Sequence, residues 1–250
     1  MDSVLWVVIA GAAVAGFVQG LSGFAFGLVS MSFWAWTLEP RLAATLAVFG
    51  SLTGQVIAAV SERRGFDVRR LLPFVLGGLA GIPLGVALLP RMDMDWLRLV
   101  LGSLLVVWCP AMLMAKHLPK VTAGGRLADA AVGLAGGVMG GLGGFTGALP
   151  TLWCTLRGLE KDTQRAIVQN FNLSMLAVTM ATYAGTGIVT RAMLPMFGVV
   201  AVAMLVPTLL GTRLYIGISE AAFRKIVLGL LTASGVAMLG GSVPALLARV

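Results

Sequence analysis

Long apolar stretches alternate with short charged segments along the whole 250-residue chain. Eight stretches contain no Asp, Glu, Lys or Arg, and each is close to or above the roughly 20 residues that a helix needs to cross a bilayer. Strand-like alternation of polar and apolar positions is absent from them, which argues against an outer-membrane barrel. The pattern therefore predicts an all-α integral membrane protein. The stretches are Ser3–Leu38, Leu42–Val60, Leu71–Pro90, Leu99–Ala115, Ala130–Leu156, Ala166–Thr190, Ala192–Thr212 and Ile226–Ala248.

The eight stretches form two series of four that resemble each other. The glycine-rich run at 15–23 aligns with the run at 135–143, and Pro83 aligns with Pro207 further along. A sequence that repeats in this way predicts a fold built from two similar units. We therefore predict an N-terminal membrane repeat over residues 1–118, a cytoplasmic linker over 119–126 and a C-terminal membrane repeat over 127–250.

The first segment of each half contains a cluster of glycines. Each glycine costs a helix interior about 1 kcal/mol relative to alanine, so the clusters predict a break in the helix. Gln19, Ser22 and Thr146 could satisfy the backbone groups that a break frees inside a membrane. The alternative is that the glycines only allow helices to pack closely. The clusters are Gly20, Gly23 and Gly27 in one half, and Gly140, Gly141, Gly143, Gly144 and Gly147 in the other.

The positive residues of the loops distinguish two topologies. If all eight stretches span, the two sides of the membrane carry equal numbers of Lys and Arg. If the first segment of each half re-enters, one side carries 13 of the 18 and the other carries five. Because Lys and Arg accumulate in cytoplasmic loops, the second topology is favoured. Each repeat then contains a broken or re-entrant first segment and three transmembrane helices, and this odd number inverts one repeat relative to the other.

Composition excludes several classes of function. The chain is 58% apolar and 11% charged, with a mean hydropathy of +0.96, whereas soluble domains have about 25% charged residues. The net charge of +8 comes from loop residues and forms no basic face with interleaved aromatics, so we expect no nucleic-acid partner. The only histidine, His117, lies in the hydrophilic stretch Lys116–Arg126 between the two series of apolar segments, and the apolar stretches contain no acid. We therefore predict no catalytic residue, no metal site, no cofactor and no enzymatic activity.

The paired glycine motifs resemble a known family. Gly16–Gly27 and Gly136–Gly147 resemble the repeated motif of the TauE/SafE sulfite exporters, also called the toluenesulfonate uptake permease family, and Ala44–Leu46 and Gly211–Leu214 also look like positions of that family. This resemblance implies a multi-pass transporter of the cell inner (plasma) membrane. It implies transport of small anions such as sulfite, thiosulfate or organosulfonates. The partners would be the anion and the lipid bilayer, with a homo-oligomer as a further expectation.

An anion in a membrane without buried cations needs another source of positive potential. Helix N-termini supply it through free N–H groups and the helix dipole, and broken helices bring such termini to the midplane. Gln169, Asn172 and Thr179 share one helix face and could line a polar path, or they could only bond neighbouring helices. The candidate substrate-binding residues are Gln19, Gly20, Ser22, Gly23, Phe24, Ser51, Gln55, Gly140, Gly143, Gly144, Phe145, Thr146, Asn170 and Asn172.

Two alternatives remain open from the sequence. The chain could carry or conduct a non-sulfur organic anion, or it could be a membrane scaffold without transport. Separately, four tryptophans lie near the ends of apolar segments, where tryptophan commonly anchors helices at the lipid–water interface. We predict this role for Trp34, Trp36, Trp96 and Trp108.

Overall fold

A computed structural model describes residues 2–61, 65–115, 120–213 and 220–249, without the side chains of 2, 61, 213 and 220–224. Ten α-helices and two short 3-10 turns, Leu89–Arg91 and Arg191–Met193, make up this part of the chain, which contains no strand. The all-α membrane fold is thus confirmed. The helices are α1 Asp2–Ser22, α2 Phe26–Trp34, α3 Pro40–Ser61, α4 Val68–Leu88, α5 Met94–Met114, α6 Gly125–Gly143, α7 Ala148–Leu156, α8 Lys161–Gly185, α9 Leu194–Arg213 and α10 Glu220–Leu247.

The first apolar segment of each half is broken into two helices that fold back on each other. In the first half, Trp34 at the end of α2 donates from Nε1 to the carbonyl of Val7, 3.3 Å away, near the start of α1. In the second half, Trp153 of α7 donates from Nε1 to Asp129 of α6 at 2.7 Å. Both glycine clusters therefore break the helix, as predicted, and each first segment is a helical hairpin.

Six of the described helices are long and apolar enough to cross a membrane. They are not the same six segments that the sequence predicted to cross. The sequence predicted a crossing over Ala166–Thr190, but α8 is not among the six, whereas α1 is. The amides and hydroxyls of α8 lower its hydropathy, and many of them are buried by other helices rather than facing lipid. The six are α1, α3, α4, α5, α9 and α10.

The two predicted halves are interlocked rather than side by side. Hairpin α1–α2 packs mainly on α9 of the second half, and hairpin α6–α7 packs mainly on α4 of the first. Helix α3 packs on α8, and α5 packs on α10. Each half therefore supplies a hairpin to the other half.

Only two of the four tryptophans lie where an interfacial anchor could be. Trp36 and Trp96 are 44% and 50% exposed, but Trp34 and Trp108 are almost completely buried. The prediction was wrong for Trp34 and Trp108 because each indole N–H bonds a carbonyl of a packed helix. Several loop cations used for the topology, Arg63, Arg64 and Lys116, lie outside the described residues, as do His117 and the side chains of Arg213 and Arg224.

The packing of α4 against α6 depends on glycine. At Gly81 the backbone of α6 is so close that a Cβ atom would overlap the carbonyl oxygen of Leu134. Gly77 and Gly137 meet the facing helix in the same way. Small residues allow this approach, and the resulting contacts drive helix association in lipid, where the hydrophobic effect between helices is absent.

Replacing Gly81 by Ala is therefore expected to destabilise the fold by about 1–3 kcal/mol, the usual cost of overpacking. Thermal unfolding of the detergent-solubilised protein, followed as the remaining monodisperse fraction, measures this change. Gly229→Ala on α10 is the matched control, because a Cβ atom there meets nothing within 4 Å. Equal melting temperatures for the two variants would show that the α4–α6 contact is not tight.

Candidate functional site

The two breaks lie next to each other inside the bundle. A Cβ atom on Gly27, in the first turn of α2, would lie 3.0 Å from the carbonyl oxygen of Gly144 in the second break. Gly144 in turn packs against the backbone of Val48 on α3. Two segments that are about 120 residues apart in the sequence thus form one site.

The backbone turns in the same way at both breaks. Gly23 and Gly144 have φ values of +81° and +78°, a conformation that glycine adopts without strain. Gly23 donates its N–H to the carbonyl of Gln19 and Gly144 donates to that of Gly140, so both glycines end a helix in the left-handed manner. The aligned sequence pairs Gly23 with Gly143, but the backbone pairs it with Gly144, since α6 ends at Gly143, one residue later than the alignment with the end of α1 at Ser22 predicts.

The helices that follow the breaks have N-cap residues that make no side-chain capping hydrogen bond. Ala25 precedes α2 and Gly147 precedes α7, and in this sense both helix starts are uncapped. At the start of α2, the Phe26 N–H is bonded by a side chain from α1, that of Gln19. The first N–H groups of a helix have no partner within the helix itself, and they carry the positive end of its dipole. Two uncapped positive helix ends therefore lie at the junction of the breaks.

Gln19 joins the two helices of the first hairpin. Its Oε1 accepts a hydrogen bond from the N–H of Phe26 at 2.9 Å. The side chain is only 2% exposed, and its Nε2 has no hydrogen-bond partner. The Nε2 of Gln55, on α3, donates to the carbonyl of Gly23 at 2.5 Å. Gln19 and Gln55 thus fix the first break, and one buried amide donor remains unused.

Asn172 stabilises the second break, as Gln19 and Gln55 stabilise the first. Its Oδ1 accepts a hydrogen bond from the Thr146 hydroxyl at 2.8 Å, and both residues are 1% exposed. The Asn172 amide also lies against Gly147, where a Cβ atom would be 2.6 Å from Nδ2. Asn172 therefore holds the residues immediately before α7.

Helices α3 and α8 run past both breaks in opposite directions. On α3, Val48 lies at the second break and Gln55 at the first, so Ser51 lies between them on the same face; its buried hydroxyl has no partner. On α8, the Nε2 of Gln169 lies 3.2 Å from a Cβ atom built on Gly23, and Asn172 lies at the second break. Gln169 was absent from the predicted set, although its helical spacing from Asn172 was the signal for it.

The structure does not bring every predicted residue to the junction. Asn170 points away and donates from Nδ2 to the carbonyl of Gly65 at 3.0 Å, in the loop before α4. Gly20 packs against the backbone of α9 at Thr208, and Gly140 packs against the Thr146 side chain. The Phe145 ring is buried against Gly143.

A cavity of about 220 Å³ leads to the first break. It lies between the C-terminal end of α5 and the N-terminal ends of α8 and α10, and the sequence near these helix ends includes Lys161, Arg165 and Lys225. Its end at the first break includes two predicted residues, Ser22 and Phe24. The lining residues are Val18, Leu21, Ser22, Phe24, Ala25, Trp108, Met112, Thr151, Gln164, Val227, Leu228 and Leu231.

The other end of α5 is tied into an ionic network. Arg98 donates from Nε to the carbonyl of Ala35 at 2.8 Å and pairs with Asp95, and Arg249 pairs with both Asp93 and Asp95. The N–H of Trp96 and then the Arg249 guanidinium lower the pKa of the Asp93 carboxyl. The ends of α2, α5 and α10 are therefore held together at the end of α5 opposite the cavity.

The polar groups buried in the described part of the chain are amides and hydroxyls, without a charged side chain. The same residues contain no group of three or more His, Cys, Asp or Glu side chains that could hold a metal ion. The site can therefore offer hydrogen-bond donors and helix dipoles. These groups fit a small anion.

Comparison with known proteins identifies the family. A family model described as "Sulfite exporter TauE/SafE" matches residues 8–238, nearly the whole chain. The match confirms the resemblance that the glycine motifs predicted. No curated protein and no solved structure matches the chain.

Proposed function

The chain belongs to the sulfite exporter TauE/SafE family, and we propose that it carries small sulfur-containing anions, such as sulfite, thiosulfate or organosulfonates, through the junction of its two breaks. As a member of this family it is a multi-pass membrane transporter and not an enzyme. We place it in the cell inner (plasma) membrane. The anion would bind at the uncapped starts of α2 and α7, with amide and hydroxyl groups completing its shell.

The observation that carries this proposal is the unpaired Nε2 of Gln19. A buried donor without an acceptor costs about 1–3 kcal/mol, and an amide nitrogen can be satisfied only by an acceptor such as an anion oxygen. Gln19 lies at the start of α2, where its Oε1 accepts the N–H of Phe26 and its Nε2 stays unpaired. A site with an unused donor and a positive helix end, but no buried cation, would bind an anion without holding it too tightly for release.

The recurrence of helix contacts supports an inverted arrangement of the two repeats. The contact of α1 with α9 corresponds to that of α6 with α4, and the hairpin α1–α2 corresponds to α6–α7. The opposite directions of α3 and α8 along the junction agree with such an arrangement. We assign the Lys- and Arg-rich end, nearest the cavity, to the cytoplasm, because positive residues concentrate in cytoplasmic loops.

The proposal is tested by flux in proteoliposomes that contain the purified full chain. Sulfite, thiosulfate, methanesulfonate and acetate are supplied one at a time, with protein-free liposomes as the control. We expect saturable flux of at least one sulfur anion above the protein-free rate. Flux of acetate alone would favour the non-sulfur alternative, and absence of flux for every anion would favour a scaffold.

A further inference from the structure

Charged side chains join three helices at the N-terminal end of α5. Arg98 pairs with Asp95 of the same helix at 3.3 Å, and these side chains are only 20% and 17% exposed. Arg249, two residues after the end of α10, pairs with both Asp93 and Asp95. The cavity is lined by Met112 near the other end of α5. Since α5 has 21 residues and is thus about 30 Å long, the ionic network and the cavity lie near opposite faces of the membrane.

The same network holds the first hairpin. The Nε of Arg98 donates to the carbonyl of Ala35, directly after α2, at 2.8 Å, and the guanidinium carbon lies 5.0 Å from the centre of the Trp36 ring. That ring also lies against α10, since a Cβ atom on Gly241 would be 3.7 Å from it. The end of α2 is therefore fixed between α5 and α10.

Helix α2 connects the network to the first break. It has only nine residues, which is about 13 Å at the usual rise, and backbone hydrogen bonds tie each of its turns to the next. Its first residue, Phe26, donates its N–H to Gln19. Because so short a helix moves as one unit, a displacement at Ala35 also shifts the start of α2. The state of the network and the geometry of the proposed anion site are thus linked.

Arg249 lies beyond a weak point of α10. The body of α10 packs tightly on α5, where a Cβ atom on Gly102 would lie 2.9 Å from the carbonyl oxygen of Gly235. Pro244 lies inside α10 between that contact and Arg249. Proline removes a backbone hydrogen bond and commonly bends a helix. The end of α10 can therefore move away from Asp93 while the body of the helix stays packed.

The second hairpin has similar side chains in a different arrangement. Asp129 accepts a hydrogen bond from Nε1 of Trp153 and pairs with Arg157, whose guanidinium carbon lies 5.7 Å from the centre of the Trp153 ring. Asp129 belongs to α6, and the other two belong to α7 or directly follow it. These contacts stay within one hairpin, whereas the ionic network joins α5 to both α2 and α10. Of the two sets, the network is the one that holds separate parts of the bundle together.

We propose that the ionic network and the Trp36 ring form an outer gate, which closes the transport pathway at the end opposite the cavity and must release α2 in each transport cycle. A carrier that alternates between two faces needs one end closed while the other is open. With the cavity at the end assigned to the cytoplasm, the outer gate lies at the other face. This inference rests on the proposed function, because a gate requires a chain that carries a solute. The outer gate consists of Trp36, Asp93, Asp95, Arg98 and Arg249.

Fixing the outer gate in its closed form tests this role. The double variant Trp36→Cys/Gly241→Cys places a thiol on each side of the contact between α2 and α10, and a short bis-maleimide with a reductant-cleavable spacer joins them. Flux of sulfite, thiosulfate and methanesulfonate is measured in proteoliposomes before cross-linking, after it and after cleavage. We expect cross-linking to lower flux at least about tenfold and cleavage to restore it to within about twofold, since a blocked conformational step limits turnover.

Single-cysteine variants control for the reagent. Trp36→Cys and Gly241→Cys each receive the same treatment, and each should keep its own untreated rate of flux. The native thiols of Cys109 and Cys154 are buried and are common to all samples. Unchanged flux in a sample that mass spectrometry shows to be cross-linked would overturn the gate while leaving transport in place. No flux of any of the three anions by the wild-type chain would instead overturn the proposed function.

A second measurement remains decisive if the double variant does not fold. Ser242 lies seven residues before Arg249, about two helical turns away on the same face of α10, and it is completely buried. In Ser242→Cys, a nearly isosteric change, the rate of reaction with a polar maleimide reports opening at this end. It is measured on the purified full chain in lipid nanodiscs, where both faces meet water.

Removing a charge from the outer gate should speed this reaction. Arg249→Gln in the Ser242→Cys background is expected to accelerate labelling at least about threefold, the effect of losing partly exposed ion pairs. Arg191→Gln, at an exposed arginine outside the gate, is the matched control and should leave the labelling rate unchanged. Equal rates for the two variants would overturn the role of Arg249 in closing this end.

Discussion

Replacing Gln19 by Glu is expected to raise the transport KM about 100-fold or more at neutral pH. Glutamate keeps an oxygen that accepts the Phe26 N–H, so the hairpin remains joined. It replaces the unused Nε2 donor with a second acceptor and adds a negative charge at the junction. A hydrogen bond to a charged group contributes about 1.5–3 kcal/mol, which is about 10- to 100-fold in affinity, and repulsion of the anion adds to this loss.

Gln19→Met removes the amide without adding a charge. The aligned position of the second half is Met139, so methionine already occurs beside the other break. Methionine removes both the unused donor and the oxygen that accepts the Phe26 N–H, and we expect an increase in KM of about 10- to 100-fold without the repulsion that Glu adds. Flux measured over a range of substrate concentrations gives both values. A Glu variant with wild-type KM would remove Gln19 from the binding site.

Replacing Asn172 by Ala is expected to raise KM about tenfold without preventing expression. Asn172 accepts a hydrogen bond from the Thr146 hydroxyl and packs against Gly147. Its loss leaves a buried hydroxyl unpaired at the second break, at a cost of about 1–3 kcal/mol. The N-terminal end of α7 would then be held less firmly where the anion binds. Uptake kinetics in proteoliposomes, normalised to the amount of reconstituted protein, measure the change.

Asn170→Ala is the matched comparison, since it removes a neighbouring amide on the same helix. Asn170 bonds the carbonyl of Gly65 rather than either break, so its loss should affect the loop before α4 and change KM much less. The pair therefore distinguishes a local effect at the junction from a general effect of losing an amide on α8. Similar KM values for the two variants would contradict the assignment of Asn172 to the site.

The breaks illustrate how far local sequence predicts this fold. Glycines that cluster within an apolar run weaken a helix wherever they occur, so Gly23 and Gly144 could be assigned to breaks without coordinates. The alignment nevertheless placed the second turn one residue too early, because adjacent glycines such as Gly143 and Gly144 are equivalent in composition. Only the backbone shows that Gly144, with φ of +78°, takes the left-handed conformation.

The buried side chains show where local sequence is insufficient. Trp34 and Trp108 have the position and chemistry of interfacial anchors, yet both bond carbonyls of packed helices. Asn170 and Asn172 are two residues apart and were equally good candidates, yet only Asn172 reaches a break. Helix α8 has a lower hydropathy than a typical span because it carries many amides and hydroxyls. Several of these are buried against other helices instead of facing lipid. In each case the deciding partner lies far away in the sequence.

The sequence by itself determined that this chain is a helical membrane protein with two broken segments and a polar site without charged side chains. Hydropathy, glycine spacing and loop charge carry this information because each acts within a few residues. The tertiary structure decided that the breaks meet, that Gln19 keeps an unused donor there, and that a cavity lined by Phe24 and Trp108 lies at the first break. These features depend on contacts between segments such as Gly27 and Gly144, which no local pattern encodes.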